Sequence, residues 1–170
     1  DPGVQGGTVV YQGLAEDAAE IDWTFENVTL GQGLRYVWSW KEYNGAHYLN
    51  ASAYAGGSSK ESLSYAVSPV ISLEGWTKAQ VSFKHAAKFQ TTLRQLCGFA
   101  VRVAGTAEWT EVKIPVWPEA GSWSFADSGV LDLSAFDGKK VQLAFKYASS
   151  ADGADTWEIK AVKLTGVKAK

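Results

Sequence analysis

The sequence predicts an all-β domain, built as a two-sheet antiparallel β-sandwich of the jelly-roll type. Aromatic residues make up 13% of its 170 residues, including 8 Trp and 7 Tyr, and these residue types favour strands. Glycine occurs 17 times and Met is absent, so runs that favour helix are scarce. Short β-type runs alternate with turn residues along the chain, which is typical of a sandwich and not of alternating strands and helices.

Each predicted strand is a β-type run bounded by turn residues. The ten runs lie at residues 22–28, 36–40, 47–54, 63–73, 79–90, 96–104, 109–116, 122–133, 139–148 and 155–165. Ten strands fit a jelly roll of two sheets.

Period-two alternation predicts which side chains enter the core. The inward rows are Val81, Phe83, His85, Ala87 and Phe89; Cys97, Phe99, Val101 and Val103; and Val141, Leu143, Phe145 and Tyr147. In the last strand Trp157 and Ile159 share one parity whereas Val162 and Leu164 share the other. This change predicts a β-bulge near Lys160 and Ala161.

The chain has the length of one domain and buries a core without metal or disulfide. Residues 1–20 are expected to form a tether or an edge strand, residues 21–165 the sandwich, and residues 166–170 a tail. Cys97 is the single cysteine, so no internal disulfide forms.

Charge argues against nucleic acid as a partner, and hydropathy argues against a transmembrane segment. Sixteen Lys and Arg oppose 18 Asp and Glu, and no basic run is longer than Lys139-Lys140, so nucleic acid is not an expected partner. No stretch approaches the roughly 20 apolar residues of a transmembrane segment.

Catalytic motifs are absent from the sequence. It contains no phosphate-binding loop, dinucleotide fingerprint, nucleophile elbow or zinc-protease helix motif. Cys97 and His85 form a conceivable nucleophile and base, but their apolar rows favour a buried thiol and a core imidazole. His47 is expected at the surface. We therefore expect a protein that is not an enzyme.

Three carboxylates near the C-terminus leave alternatives open. Asp152 and Asp155 lie in a Ser- and Gly-rich segment typical of a hairpin tip, with calcium ligation and glycosidase-type catalysis as the alternatives. Glu158 lies inside the last strand and points either to solvent or into a polar cluster.

Two groups of aromatic residues are candidate binding surfaces. Trp38 and Trp40 share a strand face, and they form either core or a platform on which sugar rings stack, with Tyr43 and Asn50 as neighbours. Trp117 and Trp123 lie in a Pro- and Gly-marked loop, where a preformed aromatic edge is expected.

The order of several segments resembles the cleaved-adhesin or choice-of-anchor J domains of Bacteroidetes surface proteins. The clearest segments are VSFKHA at 81–86, LDLSAFDGKKVQLAFKY at 131–147 and TWEIKAVKL at 156–164. Further matching segments lie at 24–28, 36–38, 49–54, 67–73, 109–112 and 122–125. The resemblance covers residues 22 to 165.

The resemblance implies a galactose-binding-like jelly roll without catalytic residues of its own. It also implies an exported protein at the cell surface, lipid-anchored through a missing N-terminal region and attached to neighbouring domains of a longer chain. A structural calcium ion is expected, with Asp22, Glu26 and Glu61 as candidate ligands.

Two functions follow from these observations. The first is a non-catalytic extracellular module that binds a glycan or a protein partner. The alternative is a structural accessory domain of a larger lipoprotein or enzyme, with no ligand of its own. Exposure of the four candidate tryptophans discriminates between them.

Overall fold

The computed structural model describes residues 7–169 and is an antiparallel β-sandwich. Its strands are β1 (Thr8–Gly13), β2 (Thr24–Leu30), β3 (Trp38–Tyr43), β4 (Ala46–Ala51), β5 (Tyr54–Ala55), β6 (Ser58–Ser59), β7 (Ser62–Val67), β8 (Ile71–Ser72), β9 (Trp76–Ala86), β10 (Gly98–Val103), β11 (Thr110–Val112), β12 (Ala126–Asp127), β13 (Leu131–Asp132), β14 (Lys140–Ser149) and β15 (Trp157–Lys168). One short helix, α1 (Leu93–Leu96), lies between β9 and β10. The predicted fold class is confirmed.

Two sheets enclose the core. The larger sheet has the strand order β12-β9-β15-β4-β3, with β1 paired to β15 and β13 paired to β9. The smaller sheet has the order β11-β10-β14-β7-β2, with β8 paired to β14. A separate small hairpin is formed by β5 and β6. Every ladder between these strands is antiparallel.

The predicted inward rows are largely confirmed. The side chains of Phe83, His85, Phe99 and Phe145 are fully buried, and the predicted bulge occurs where the β15 register against β9 shifts between Lys160 and Lys163. At this bulge the backbone of Ala161 has a φ of 58°, which is uncommon for residues other than glycine.

One inward-facing position is corrected by the structure. Phe89, predicted to face the core, is 61% exposed because β9 ends at Ala86 and the alternation ends with it. Within residues 1–20, expected to form a tether or an edge strand, β1 pairs with β15 as an edge strand, and β15 continues to Lys168.

The core is centred on Trp157. Its indole packs against Trp117 at 5.7 Å between ring centroids, against Phe145 at 5.8 Å and against Trp38 at 6.3 Å. Its Nε1–H donates a hydrogen bond to Nδ1 of His85 at 3.1 Å. Because Nδ1 accepts, the imidazole carries its proton on Nε2 and donates it to the carbonyl of Val116 at 2.8 Å.

We call the hydrogen-bonded chain of Trp157, His85 and Val116 the buried relay. It requires that the imidazole of His85 is neutral. Burial lowers the pKa of His85 from its ordinary 6.5 to about 4. Adding a proton at Nδ1 would remove the acceptor that Trp157 uses.

The loop after β11 is attached to the interior at several points. Gln90 Nε2 donates to the Pro118 carbonyl at 2.8 Å, and the Gly121 amide donates to the Lys88 carbonyl at 2.7 Å. Trp117 is half-buried against the core, whereas Trp123, six residues later, is 39% exposed. The loop therefore runs from the interior to the surface.

The buried carboxylate of Asp155 joins two segments of the chain. Asp155 accepts hydrogen bonds from the backbone amides of Thr91, Thr92 and Leu93, at 2.8 to 3.0 Å, and from the Thr91 hydroxyl at 2.8 Å. The segment that leads into α1 is thereby joined to the segment that leads into β15.

We predict that the relay makes folding sensitive to acid. An unfolded histidine gains its proton near pH 6.5 but folded His85 only near pH 4, so the folded state binds fewer protons between these values. The free energy of unfolding should fall as pH falls through this window, by up to about 3 kcal/mol from this group.

Nuclear magnetic resonance titration of the imidazole tests this prediction directly, and a midpoint near 6.5 for His85 would contradict it. Urea unfolding of the wild type and of His85→Gln at pH 7.5 and pH 4.5 isolates the contribution of His85 from those of other groups. The pH dependence of unfolding should be smaller in the variant.

The two loop tryptophans should differ in their effect on stability. Trp117→Ala removes a ring that stacks on Trp157 and should lower the free energy of unfolding by about 3 kcal/mol. Trp123→Ala removes a ring that is 39% exposed at the surface and should cost less than about 1 kcal/mol. Urea denaturation measures both, and equal losses would show that the loop is not divided in this way.

Candidate functional site

The outer face of the larger sheet carries the polar side chains of three adjacent strands. Because Leu49, Ala51, Trp157 and Ile159 are fully buried, their alternating neighbours point outward. The pairing register places Ser39 of β3 opposite Asn50 of β4, and Asn50 opposite Glu158 of β15. In the adjacent row Lys41 lies opposite Tyr48.

The polar groups of this row differ in how far they are enclosed by the protein. The Ser39 hydroxyl is buried and has no hydrogen-bond partner among the described residues. Glu158 is half-buried, and the positive charges of Lys41 and Lys160 act on its carboxylate. The Glu158 carboxylate can therefore meet a ligand, whereas the Ser39 hydroxyl is enclosed.

A tight hairpin presents Tyr43 at one side of this face. Asn44 and Gly45 connect β3 to β4 with φ angles of 53° and 80°, as a type I′ turn requires. Tyr43, immediately before the turn, is 71% exposed. Its ring thus lies on a rigid connection.

The loop after β11 supplies the opposite side. Phe125 meets Tyr48 edge to face at 6.4 Å, and the Lys160 ammonium lies 4.4 Å from the Phe125 ring centroid. Trp123 meets Phe89 edge to face at 6.3 Å. The rings of this loop therefore cover part of the outer sheet face.

These elements enclose a groove of ≈ 570 Å³, which we call the aromatic groove. Its lining consists of Tyr43, Ala46, His47, Tyr48, Trp123, Phe125, Glu158 and Lys160. The volume falls within the range of about 300 to 1,000 Å³ that is usual for ligand sites.

Glu158 is the one carboxylate among the described lining residues of the aromatic groove. Burial raises the pKa of Glu158 from its ordinary 4.5 to about 7, and the Lys41 and Lys160 ammonium groups only partly oppose this. Lys160 also donates to Glu16 at 2.9 Å, so its charge is already paired.

Two further grooves adjoin the aromatic groove. The cationic groove, ≈ 300 Å³, is lined by residues 33–37, Lys41, Asn50, Ser52, Tyr54 and Ala55. The end groove, ≈ 470 Å³, is lined by Ser52, Tyr54, Ser59, Phe89, Thr91 and residues 152–156. Tyr54 and Ser52 are common to both.

The structure separates the six predicted ligand-binding residues. Tyr43 and Trp123 line the aromatic groove, and Asn50 lines the cationic groove. Trp38 is 2% exposed, so its prediction as a stacking surface is wrong: the ring belongs to the core beside Trp157.

Trp40 and Trp117, also predicted as binding residues, are packing residues in the structure. Trp40 stacks on His47 at 5.8 Å and donates its Nε1–H to the Ala18 carbonyl at 2.9 Å. It is therefore a packing residue that holds the loop after β1. Trp117 likewise stacks on Trp157 and supports the loop from inside.

The predicted calcium ligands do not meet. Both carboxylate oxygens of Glu26 accept hydrogen bonds from Arg102, at 3.1 and 2.6 Å, so this side chain serves an ion pair. Asp22 and Glu61 are exposed. Between residues 7 and 169 no three His, Cys, Asp or Glu form a cluster suited to a metal ion. Calcium binding stays a prediction.

The conceivable Cys97–His85 nucleophile pair is not available. His85 uses both ring nitrogens within the core, and Cys97 Sγ lies 3.4 Å from the Ala148 carbonyl. Burial raises the pKa of the Cys97 thiol to about 12, which disfavours the thiolate that a nucleophile needs. Asp155 is occupied by its four hydrogen bonds.

Six residues of the aromatic groove were not predicted from the sequence as binding residues: Ala46, His47, Tyr48, Phe125, Glu158 and Lys160. The parity of β15 carried a signal for two of them. Since Trp157 and Ile159 face inward, Glu158 and Lys160 must face outward. Phe125 lies in a loop without alternation, where no comparable signal exists.

No helix among the described residues is long and apolar enough to cross a membrane. No family model matches this sequence. No curated protein matches it either.

Solved structures with the same fold include two cleaved adhesin domains of Lys-gingipain from Porphyromonas gingivalis. Each is 17% identical over 94% of this chain, with TM-scores of 0.58 and 0.60, and 98% and 99% of the respective domains are covered. The CBM22-1 xylan-binding domain of Xyn10C from Paenibacillus barcinonensis is 14% identical, with a TM-score of 0.54, over 97% of this chain and 98% of that domain. This chain therefore has the sandwich fold of cleaved adhesin domains, which confirms the structural side of the resemblance.

Proposed function

We propose that this domain is a non-catalytic binding module that binds a glycan in the aromatic groove. The observation that carries the proposal is the placement of Tyr43 and Trp123, two exposed rings, in one groove with the Glu158 carboxylate and the Tyr48 hydroxyl. Exposed rings in a groove are otherwise unfavourable, since they leave apolar surface in water.

The chemistry of the groove suits a sugar. A pyranose presents apolar C–H faces and a rim of hydroxyls, so it needs flat apolar surfaces together with hydrogen-bond donors and acceptors. Tyr43, Trp123 and Phe125 supply the surfaces. Glu158 supplies acceptors, and the hydroxyl of Tyr48 supplies a donor.

The names of the structural neighbours support the class of ligand. Two of them are adhesin domains, and the third is named for xylan binding. Because all are under 25% identical to this chain, the residues that would contact a glycan are argued from its own groove.

The described lining of the aromatic groove does not favour hydrolysis. Glycoside hydrolysis generally uses two carboxyl groups on either side of the scissile bond, whereas Glu158 is the single carboxylate among the lining residues described. A raised pKa is compatible with a proton donor, but the second group has no candidate here.

The structural accessory role predicts that all four candidate tryptophans are buried. Trp38 is buried, Trp40 and Trp117 are half-buried, and Trp123 is 39% exposed. This distribution favours a binding role at Trp123. Export to the cell surface accords with that role, and lipid anchoring stays a prediction.

Ring removal should separate binding from folding. After a glycan array identifies a ligand, Trp123→Ala and Tyr43→Ala should each weaken its binding about tenfold, because each removes a stacking face of roughly 1.4 kcal/mol. Isothermal titration calorimetry measures the affinity, and thermal unfolding shows that each variant is folded.

Phe25→Ala is the matched control, because Phe25 is 37% exposed on β2 of the other sheet. It should bind as the wild type does. Wild-type affinity in Trp123→Ala would contradict the assigned site. A domain that binds no glycan on the array would favour the structural accessory role.

A further inference from the structure

We propose that the cationic groove binds an anionic sugar, so that the ligand of this domain is an acidic polysaccharide bearing carboxylate or sulfate groups. The inference rests on the proposed function, because it treats the cationic groove as a continuation of the aromatic groove. It adds the charge of the ligand, which the aromatic groove does not determine.

The charge of the groove is the first observation. Arg35 and Lys41 are both exposed and line it together, and the described lining contains no Asp or Glu. The guanidinium of an arginine offers paired N–H donors that match a carboxylate or sulfate, and an ammonium adds a second positive charge. Neutral sugar hydroxyls accept hydrogen bonds from these groups, but only an anionic sugar also compensates their two positive charges.

The positive charge is local to this groove. The whole chain has a formal charge of −2, so a general attraction for polyanions is not expected. The Glu158 carboxylate, which opposes Asn50 across the β4–β15 ladder, lies in the aromatic groove. Two cations are too few for tracking a nucleic-acid backbone.

The remaining lining is that of a sugar site and not of a simple anion site. Tyr36 and Tyr54 are both more than half exposed. The Tyr54 hydroxyl donates to the Gly57 carbonyl at 2.9 Å, which fixes the ring within the β5–β6 hairpin before any ligand binds. Asn50 and Ser52 add amide and hydroxyl groups for sugar hydroxyls.

Continuity with the aromatic groove follows from the strand register. Asn50 of the cationic groove is paired with Glu158 of the aromatic groove, and Lys41 is paired with Tyr48. Paired strands lie about 4.8 Å apart, so the floors of the two grooves are direct neighbours on one sheet face. A single glycan chain that stacks on Trp123 and Tyr43 would therefore extend over Arg35 and Lys41.

Oligogalacturonate and its methyl ester provide the test, because they share rings and linkages and differ in charge. We expect calorimetry at about 50 mM salt to show at least roughly tenfold tighter binding of the charged form. A sulfated oligosaccharide compared with its unsulfated parent forms the second arm. Preference for the anionic member of either pair supports the proposal.

Charge-removing variants assign the preference to this groove. Arg35→Gln and Lys41→Gln should each reduce affinity for the anionic oligosaccharide about fivefold to tenfold and leave the neutral form nearly unaffected. Lys113→Gln, an exposed lysine beyond β11 of the other sheet, is the matched control and should change neither.

Three outcomes would overturn the inference. They are equal binding of the charged and neutral members in both pairs, an equal loss in Lys113→Gln, and equally tight binding of hexaglutamate, which would indicate a site for any anion. If neutral glycans bind and Trp123→Ala abolishes their binding, the proposed function stands while the charge preference fails. If no glycan of either charge binds, the proposed function itself fails.

Discussion

The hydrogen bond from Trp157 to His85 is the interaction on which the rest of this sandwich depends. It joins the two longest strands of the larger sheet, and the other nitrogen of the same imidazole holds the Val116 carbonyl at the start of the loop that carries Trp117, Trp123 and Phe125. Because Trp157 faces inward, Glu158 must face outward. One buried contact thus fixes both the floor and one wall of the outer groove.

The sequence predicted the interior better than the surface. Alternation identified Phe83, Phe99 and Phe145 as core residues, and the change of parity located the bulge near Ala161. These features depend on which neighbours a residue has along its own strand. The Asn44-Gly45 turn was also encoded locally, since this dipeptide is a strong hairpin signal, although the prediction did not use it.

The grooves could not be predicted in the same way because they depend on register and loop path. That Asn50 meets Glu158 is set by the pairing of strands more than a hundred residues apart in the chain. Trp117 and Trp123 look alike in the sequence, and only the anchoring of Pro118 and Gly121 separates an inward ring from an outward one. Phe89 was misplaced because nothing in the alternation marks the end of β9 at Ala86.

The pairing of β1 with β15 lies at one end of the long strand β15, whereas the groove floor lies at the other. Thr8 lies opposite Gly166, so the first and last strands of the fold reach the surface side by side. Glu158 precedes Gly166 by eight residues of the same strand, which at about 3.3 Å per residue places the groove floor roughly 26 Å from that point. The pairing of Thr8 with Gly166 and the groove floor at Glu158 therefore occupy separate stretches of the same long strand.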